Sequence, residues 1–273
     1  MTFSVVARDA LSGELGIAVS SCILAVGRAV PCARPGVGVV AVQARSRRGL
    51  GNRLLTGLAD GAAPAELVRR AAHAAEDADR QIAVLDATGR VAADTGQGSF
   101  PVSGHLLGDG FSVQGNMLGS TDVLPAMSQA FTAASGGLAD RLLASLTAGQ
   151  DAGGDLRGRQ SAALLVVSGE PVTDEDDGVR MDLRVDDSGD PVAQLRMLRN
   201  LQRAYDERDY ELLALFAPEG ARDLYAALAA SQRGDRAAAR QALEAMRARP
   251  GWSAFLASMA GDSRLAGVQR LLD

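Results

Sequence analysis

The chain has 273 residues, of which 47% are hydrophobic and 22% are charged. This balance predicts a packed core rather than disorder, in one large domain or a domain with an appendage. The formal net charge of −5 offers no basic surface for nucleic acid. The chain contains 28 arginines and no lysine. Schiff-base chemistry on a lysine is therefore excluded, and fixed positive charge comes from guanidinium groups or the N-terminal amine.

The composition also argues against a metal centre and an export signal. Cys22 and Cys32 cannot form a zinc site alone, and so long a chain does not need a disulfide framework. The two histidines and the scattered carboxylates show no metal-ligand spacing. The segment after Met1 lacks a charged start and a long apolar stretch, which predicts neither a signal peptide nor a membrane span. We expect a cytoplasmic protein with no cofactor and no metal.

The first half of the chain alternates strand-like and helix-like segments. Two β-prone runs separated by a turn-rich segment predict a hairpin at the N-terminus, and a third run follows a loop rich in proline and glycine. Two helical stretches come next, with Pro64 in the first turn of the second. The predicted strands cover residues 3–8, 14–21 and 37–42, the loop covers 31–36, and the helices cover 50–58 and 64–78.

The second half repeats this order and then becomes purely helical. Strands are predicted over 81–85, 90–93 and 111–116, helices over 123–134 and 138–148, and strands over 161–167 and 179–185. Strands and paired helices in this order fit layers of helix on sheet, and do not fit a doubly wound sheet. After Pro191 no strand-like run occurs, which predicts a domain over 1–191 and a helical domain over 192–273. One stretch there, 234–243, resembles a helix of a tetratricopeptide hairpin, without a regular repeat.

Thr2 can carry chemistry if Met1 is removed. A terminal threonine holds a hydroxyl nucleophile and an α-amine on one residue. The amine has an ordinary pKa of about 8 and can accept the hydroxyl proton. Nucleophile and base are then preassembled. The alternative is an ordinary second residue, since many proteins that begin Met-Thr are not hydrolases.

Other segments offer groups that could stabilise a reaction. Gln114-Gly115-Asn116 ends a predicted strand and could supply hydrogen-bond donors to an oxyanion, or could simply cap the strand. The segment 153–161 places arginines, a carboxylate, an amide and a hydroxyl between glycines, either as part of a site or as a solvated loop. His105 is predicted in a loop, as a substrate contact or as a structural turn residue.

Six motifs in order resemble a bacterial and archaeal domain family of unknown function that is assigned to the N-terminal-nucleophile (Ntn) hydrolase superfamily. The resemblance spans Thr2 to about Val192. It implies a four-layer αββα sandwich, consistent with the element order, and an amide-bond hydrolase. The motifs are Thr2-Phe3-Ser4, Gly16-Ile17-Ala18-Val19-Ser20-Ser21, Ala33-Arg34-Pro35-Gly36-Val37-Gly38, Gln114-Gly115-Asn116, Gly153-Gly154-Asp155 with Gln160-Ser161-Ala162-Ala163-Leu164, and Asp182-Leu183-Arg184-Val185-Asp186-Asp187.

The resemblance implies a role for each matching residue. Thr2 would be the nucleophile and its freed amine the base, while Asn116 and nearby backbone N–H groups would bind the oxyanion. A further set would bind substrate or support Thr2, and it comprises Ser21, Arg34, Gln114, Asp155, Arg159, Gln160 and Ser161.

The sequence departs from this family in two places. Family members commonly read Asp-Asp-His-Pro where this chain has Asp186-Asp187-Ser188-Gly189, so any role of that histidine is absent. Many relatives also carry a tail described as peptidoglycan-binding, whereas the tail here has a helical pattern.

The sequence thus favours an amidohydrolase that acts on a small amide or peptide-like substrate through an acyl-enzyme on Thr2. The alternative is a non-catalytic binding protein on the same fold that uses its helical tail for partners. We expect no nucleic-acid partner and no membrane association. A broad sheet sandwich with an Ala/Leu-rich tail is compatible with a homodimer.

Overall fold

The computed structural model describes residues 2–46, 48–72, 78–174 and 176–259, without the side chain of Asp176. Met1, whose removal the Thr2 mechanism requires, lies outside this range. The described chain is a mixed α+β protein. Its strands are β1 (Thr2–Arg8), β2 (Leu15–Ser21), β3 (Pro31–Arg34), β4 (Gly38–Gln43), β5 (Gln81–Asp86), β6 (Val91–Thr95), β7 (Gly104–Gly108), β8 (Phe111–Asn116), β9 (Ser161–Val167) and β10 (Val179–Val185).

Ten α-helices occur among the described residues. They are α1 (Val26–Ala29), α2 (Arg48–Ala59), α3 (Pro64–Ala72), α4 (Val123–Ala133), α5 (Leu138–Asp151), α6 (Pro191–Glu207), α7 (Tyr210–Phe216), α8 (Glu219–Gln232), α9 (Arg236–Arg247) and α10 (Trp252–Met259).

The strands form two antiparallel sheets. The larger has the order β10-β9-β2-β1-β8-β7 and the smaller the order β3-β4-β5-β6. Alternate residues of each strand point to opposite faces of a sheet. Val6 and Ile17 of the larger sheet and Val39, Ala83 and their neighbours of the smaller one belong to a single buried apolar cluster. The two sheets therefore pack face to face.

Each sheet also packs against a pair of helices on its other face. Helix α5 contacts β1, β2 and β9, and α4 contacts β7 and β8. Gly16 allows this close approach, since a Cβ there would lie 2.6 Å from Leu142 Cδ1. Helices α2 and α3 cover the smaller sheet, and Leu54 and Leu67 pack there with Val40 and Val84. The described core of the smaller sheet and its helices contains no aromatic residue, as the low aromatic content predicts, whereas Phe3, Phe111 and Phe131 are buried on the helix-covered face of the larger sheet.

Most sequence-based elements are confirmed, and three short ones were missed. Strands β8, β9 and β10 have the predicted bounds. Strand β3 lies inside the predicted loop 31–36, because Pro31 starts an edge strand, where a missing N–H is tolerated. Strand β7 includes Gly104 and His105, which the sequence places in a loop, and α1 is only four residues long. The predicted helix 64–78 is confirmed over the described range of α3, Pro64–Ala72. Residues 73–77 lie outside the described residues, and Ala78 is in a turn.

The chain divides into two compact units, residues 1–196 and 197–273. The predicted boundary at residue 191 falls in the same helix, α6. The described part of the second unit is entirely helical and has a core of its own, centred on Leu213, Leu228 and Met246. The side chains of Asp209 and Asp235 cap α7 and α9. In the part of the chain that the structure describes, no helix has the length and apolarity needed to cross a membrane.

Candidate functional site

Thr2 starts a central strand of the larger sheet, and the strand register determines its neighbours. Arg8 donates its backbone N–H to Gly110 O at 2.9 Å. Hydrogen-bonded positions recur at every second residue of an antiparallel pair. The register from Val6↔Ser112 through Ser4↔Gln114 to Thr2↔Asn116 is unbroken. Thr2 and Asn116 therefore occupy a hydrogen-bonded position, where the Thr2 nitrogen faces the Asn116 carbonyl.

Ser21 adjoins Thr2 on the other side. Strand β1 pairs with β2 with Phe3 opposite Ser20, and Asp9 donates its N–H to Glu14 O. By the same alternation Thr2 and Ser21 face each other at a non-hydrogen-bonded position, where side chains approach most closely. Their hydroxyl oxygens lie 3.2 Å apart. Thr2 is 3% exposed and Ser21 fully buried, so this hydroxyl pair is shielded from bulk water.

A set of neutral polar side chains fills the space between the two sheets at the end where Thr2 lies. The other end of that space is apolar. We call this set the inter-sheet polar cluster. Its members come from β1, β2 and β8 on one side and from β4, β5 and β6 on the other. They are Thr2, Ser4, Ser21, Gln43, Gln81, Thr95, Ser112, Gln114 and Asn116.

Gln81 determines the orientation of the amides in this cluster. Its Nε2 donates to Gly104 O at 2.8 Å and to Gly115 O at 2.9 Å. A main-chain carbonyl can only accept, so the amide of Gln81 cannot rotate by half a turn. Its Oε1 therefore faces the remaining partners, and it accepts from Gln43 Nε2 at 2.6 Å and from Asn116 Nδ2 at 3.1 Å.

The same constraint continues along the cluster. Since Gln43 presents Nε2 to Gln81, its Oε1 accepts the Ser4 hydroxyl at 2.7 Å. Ser4 Oγ in turn accepts from Gln114 Nε2 at 2.6 Å, and Gln114 Oε1 accepts from Ser112 at 2.8 Å. Every amide in this series therefore has one allowed orientation.

Asn116 is the exception to full pairing. Its Nδ2 faces Gln81 Oε1, which leaves Oδ1 turned elsewhere. Oδ1 is buried and has no hydrogen-bond partner within the described part of the chain. A buried acceptor left unsatisfied costs on the order of 1–3 kcal/mol. This atom belongs to the residue directly opposite Thr2.

His105 joins the cluster at its outer edge. Its Nδ1 lies 2.9 Å from Thr95 Oγ1. Thr95 Oγ1 also lies 2.9 Å from Gln81 Nε2, whose two N–H groups already face Gly104 O and Gly115 O. Burial lowers the pKa of His105, with the Asp94 carboxylate acting in the opposite direction. His105 is on strand β7 rather than in the predicted loop.

Asp155 lies in a glycine-rich turn beside the end of β2. Its Oδ2 accepts the Cys22 N–H at 3.0 Å and its Oδ1 accepts the Arg157 N–H at 2.9 Å. Gly154 has φ of +50°, and a Cβ there would overlap the Gln150 amide. Burial raises the pKa of the Cys22 thiol, and the Asp155 carboxylate raises it further. The Asp155 carboxylate therefore fixes the chain directly after Ser21.

The segment from Arg159 to Ser161 also supports the end of β2. The backbone N–H of Gln160 donates to Ser21 O at 3.0 Å, and Ser161 Oγ accepts from Val26 N at 3.0 Å. Gln160 Nε2 reaches Asp187 Oδ1 at 3.1 Å. Arg159 is at the surface, 4.0 Å from Asp190 Oδ1. Among the described residues, no group of three or more metal-ligating side chains occurs.

The structure brings together Thr2, Ser21, Gln114 and Asn116, with Asp155, Gln160 and Ser161 behind Ser21. It does not bring Arg34 to them. Arg34 pairs with Gly38, whereas Pro31 pairs with Ala41, and Gln43 of the cluster lies beyond Ala41 on the same strand. Arg34 is thus at the opposite end of the smaller sheet from Thr2. Motif order along the chain does not tell which end of a strand faces the site.

Sequence reasoning missed the contribution of the smaller sheet. Gln43 and Gln81 sit at strand ends, belong to no motif, and are fully buried. The available signal was alternation: Val39, Ala41 and Gln43 occupy one face of β4, so a glutamine continues an inward-facing apolar row.

Fold and site define a mixed α+β protein with two facing antiparallel sheets and a buried polar cluster at one end of their interface. A family model described as a family of unknown function (DUF1028) matches residues 2–195, and the chain belongs to that family. A solved crystal structure, of a protein from Silicibacter pomeroyi described under the same family model, is 32% identical with a TM-score of 0.66. The match covers 74% of this chain and 88% of that one. No curated protein matches the chain.

Proposed function

We propose that the protein is an amide-bond hydrolase of the Ntn type, with Thr2 as nucleophile after removal of Met1. The observation that carries this proposal is the position of Thr2. Its hydroxyl is buried on the inner face of a central strand, 3.2 Å from the Ser21 hydroxyl, and its nitrogen faces Asn116 across the sheet. Nucleophile and nascent amine would thus be held on a rigid element.

The chemistry needs only groups present in a chain that begins at Thr2. The Thr2 oxygen attacks the amide carbonyl while the α-amine takes the hydroxyl proton. The C–N bond breaks, the leaving amine receives that proton, and an ester on Thr2 forms. Water then attacks the ester with the α-amine as base, which releases the acid and restores Thr2. The second N–H of Asn116 Nδ2 and nearby backbone N–H groups are the candidates for stabilising the oxyanion.

The layer arrangement supports the same proposal. A helix pair, the larger sheet, the smaller sheet and a second helix pair correspond to the four-layer αββα sandwich that the resemblance implies. The substrate would be a small amide or peptide-like molecule, and no cofactor enters the reaction. The cytoplasmic location and a homodimer belong to this proposal as well.

The first experiment is an intact-mass measurement on protein expressed in cells, which reports whether Met1 is removed. Processed protein is then tested on a panel of small acyl amides and anilides, and is trapped with an activated ester to detect an acyl adduct at Thr2. We expect Thr2→Ser to retain activity. Thr2→Val, which keeps the branched shape, should lose activity and the hydroxylamine-sensitive ester adduct, since only an amide on its α-amine can form.

Thr56→Val is the matched control, since it makes the same change on an exposed face of α2. It should behave as the native chain does. Complete retention of Met1, or unchanged activity in Thr2→Val, would contradict the mechanism. A folded, processed chain without amidase activity would favour the non-catalytic binding protein instead.

A further inference from the structure

The unsatisfied Oδ1 of Asn116 points to a hydrogen-bond donor that belongs to the protein itself. We propose that Asn116 is the positioning residue for the α-amine of Thr2, holding it through its Oδ1 and its main-chain carbonyl. The inference rests on the proposed function, because it concerns the amine that removal of Met1 exposes.

Strand register carries the first step. Thr2 and Asn116 are Cα partners at a hydrogen-bonded position of the β1–β8 pair. The Thr2 nitrogen therefore points toward Asn116 and away from β2. Cleavage of the Met1–Thr2 peptide bond leaves this nitrogen in place and adds two N–H groups to the one it had. One of the three can keep the main-chain carbonyl as acceptor, and the others need new acceptors.

The orientation of the Asn116 side chain carries the second step. The amide of Gln81 is fixed by the carbonyls of Gly104 and Gly115, so Asn116 must present Nδ2 to Gln81 Oε1. This orientation leaves the Asn116 side-chain oxygen, Oδ1, free to act only as a hydrogen-bond acceptor. Asn116 is 2% exposed, and no described residue satisfies Oδ1. Most buried acceptors in native structures have a hydrogen-bond donor. The α-amine of Thr2, the strand partner of Asn116, supplies the donor that Oδ1 lacks.

This role differs from that of an oxyanion donor. A neutral oxygen that accepts from the amine favours its charged form, whereas the loss of an oxyanion donor would leave the amine unaffected. The pKa of the Thr2 α-amine therefore separates the two roles.

The absence of lysine allows the pKa of the Thr2 α-amine to be measured directly. All basic residues of the chain are arginines, so the α-amine is the sole primary amine of the covalent chain. We would prepare the full chain beginning at Thr2, from processed protein or from a fusion cleaved directly before Thr2. Brief acetylation with limiting acetic anhydride across a pH series is followed by hydroxylamine, which removes any ester on a hydroxyl group. The amide that remains on the α-amine is read by intact mass and titrates this one group.

Three variants define the outcome. Asn116→Ala removes Oδ1 and should lower the amine pKa by about one unit. Asn116→Asp keeps the oxygen acceptor, adds charge and should raise it. Ser112→Ala, which removes another buried hydroxyl from the inner face of β8, should leave it unchanged. An amine pKa that is the same in both Asn116 variants as in the native chain overturns the inference, as does an equal shift in Ser112→Ala.

The titration does not depend on turnover, so the two proposals can fail separately. Thr2-dependent hydrolysis with no shift in either Asn116 variant would keep the proposed function and remove the role of Asn116. If the amine pKa shifts as expected in a chain that hydrolyses no amide, the role of Asn116 stands and the proposed function is contradicted.

Discussion

The hydroxyl of Ser4 donates to Oε1 of Gln43 at 2.7 Å, and this bond joins the two sheets in the interior of the protein. Gln43 also donates to Gln81 within its own sheet. Gln43 thus satisfies polar groups on both sides of the interface, at the polar end of an inter-sheet contact whose other end is apolar.

Replacement of Gln43 by leucine should destabilise the protein strongly. The variant leaves the Ser4 hydroxyl without its acceptor and Gln81 Oε1 without one donor, and we expect a loss of roughly 2–4 kcal/mol in the free energy of unfolding. Urea denaturation followed by circular dichroism measures it. Gln129→Leu, on an exposed face of α4, should change the midpoint little. Equal effects in both variants would show that the inter-sheet bonds do not contribute.

Loss of the Ser21 hydroxyl should slow the proposed reaction without unfolding the chain. Ser21→Ala removes the group 3.2 Å from the Thr2 hydroxyl oxygen, and we expect kcat/KM to fall about 10- to 100-fold. Steady-state kinetics on the best amide of the panel gives this ratio. Ser20→Ala removes a buried hydroxyl that instead bonds Ser161 O and should leave kcat/KM near the native value. If Ser21→Ala is also native-like, the hydroxyl pair has no part in turnover.

His105 should titrate below the ordinary range of a histidine, because burial disfavours its charged form. The unfolded chain then binds the proton first. Stability contributed by the neutral ring is present above a pH of about 6.5 and is lost progressively as the pH falls below it. NMR titration of the ring resonances gives the pKa directly.

Asp94→Asn tests the opposing electrostatic influence. The variant removes the carboxylate that raises the pKa of His105 and should move that pKa further below the ordinary value. A native ring that titrates above about 6.5 would contradict the assignment of burial as the dominant influence.

Cys22 should alkylate slowly at neutral pH, because burial and the Asp155 carboxylate both raise its pKa. Asp155→Asn should accelerate the reaction of Cys22 with iodoacetamide several-fold, followed by peptide mass spectrometry. Cys32 is an internal reference, since burial raises its pKa and the Arg48 charge opposes this. An unaltered Cys22 rate in the variant would exclude an electrostatic effect of Asp155.

The elements were largely predictable and the site only in part, for definable reasons. Periodicity predicted β8 and β9 to the residue, because β8 alternates apolar and polar residues directly after Gly110 and β9 is an apolar run that stops before Ser168-Gly169. Short edge strands such as β3 and β7 lack that signal. Thr2, Ser21 and Asn116 belong to motifs and could be named from the sequence. Gln43 and Gln81 could not, because their importance comes from sheet packing. Arg34 is predicted beside Thr2, but motif order carries no information on strand direction, and the structure places it at the other end of the smaller sheet.

The fixed amide orientations of the inter-sheet polar cluster have a consequence for solution conditions. The donors and acceptors beside Thr2 are ordered by carbonyls of the main chain, and no side chain of the cluster carries a formal charge near neutral pH. Mobile ions screen charges and act weakly on buried neutral dipoles. The local geometry around the Thr2 hydroxyl should therefore be indifferent to ionic strength, from dilute buffer to concentrated salt.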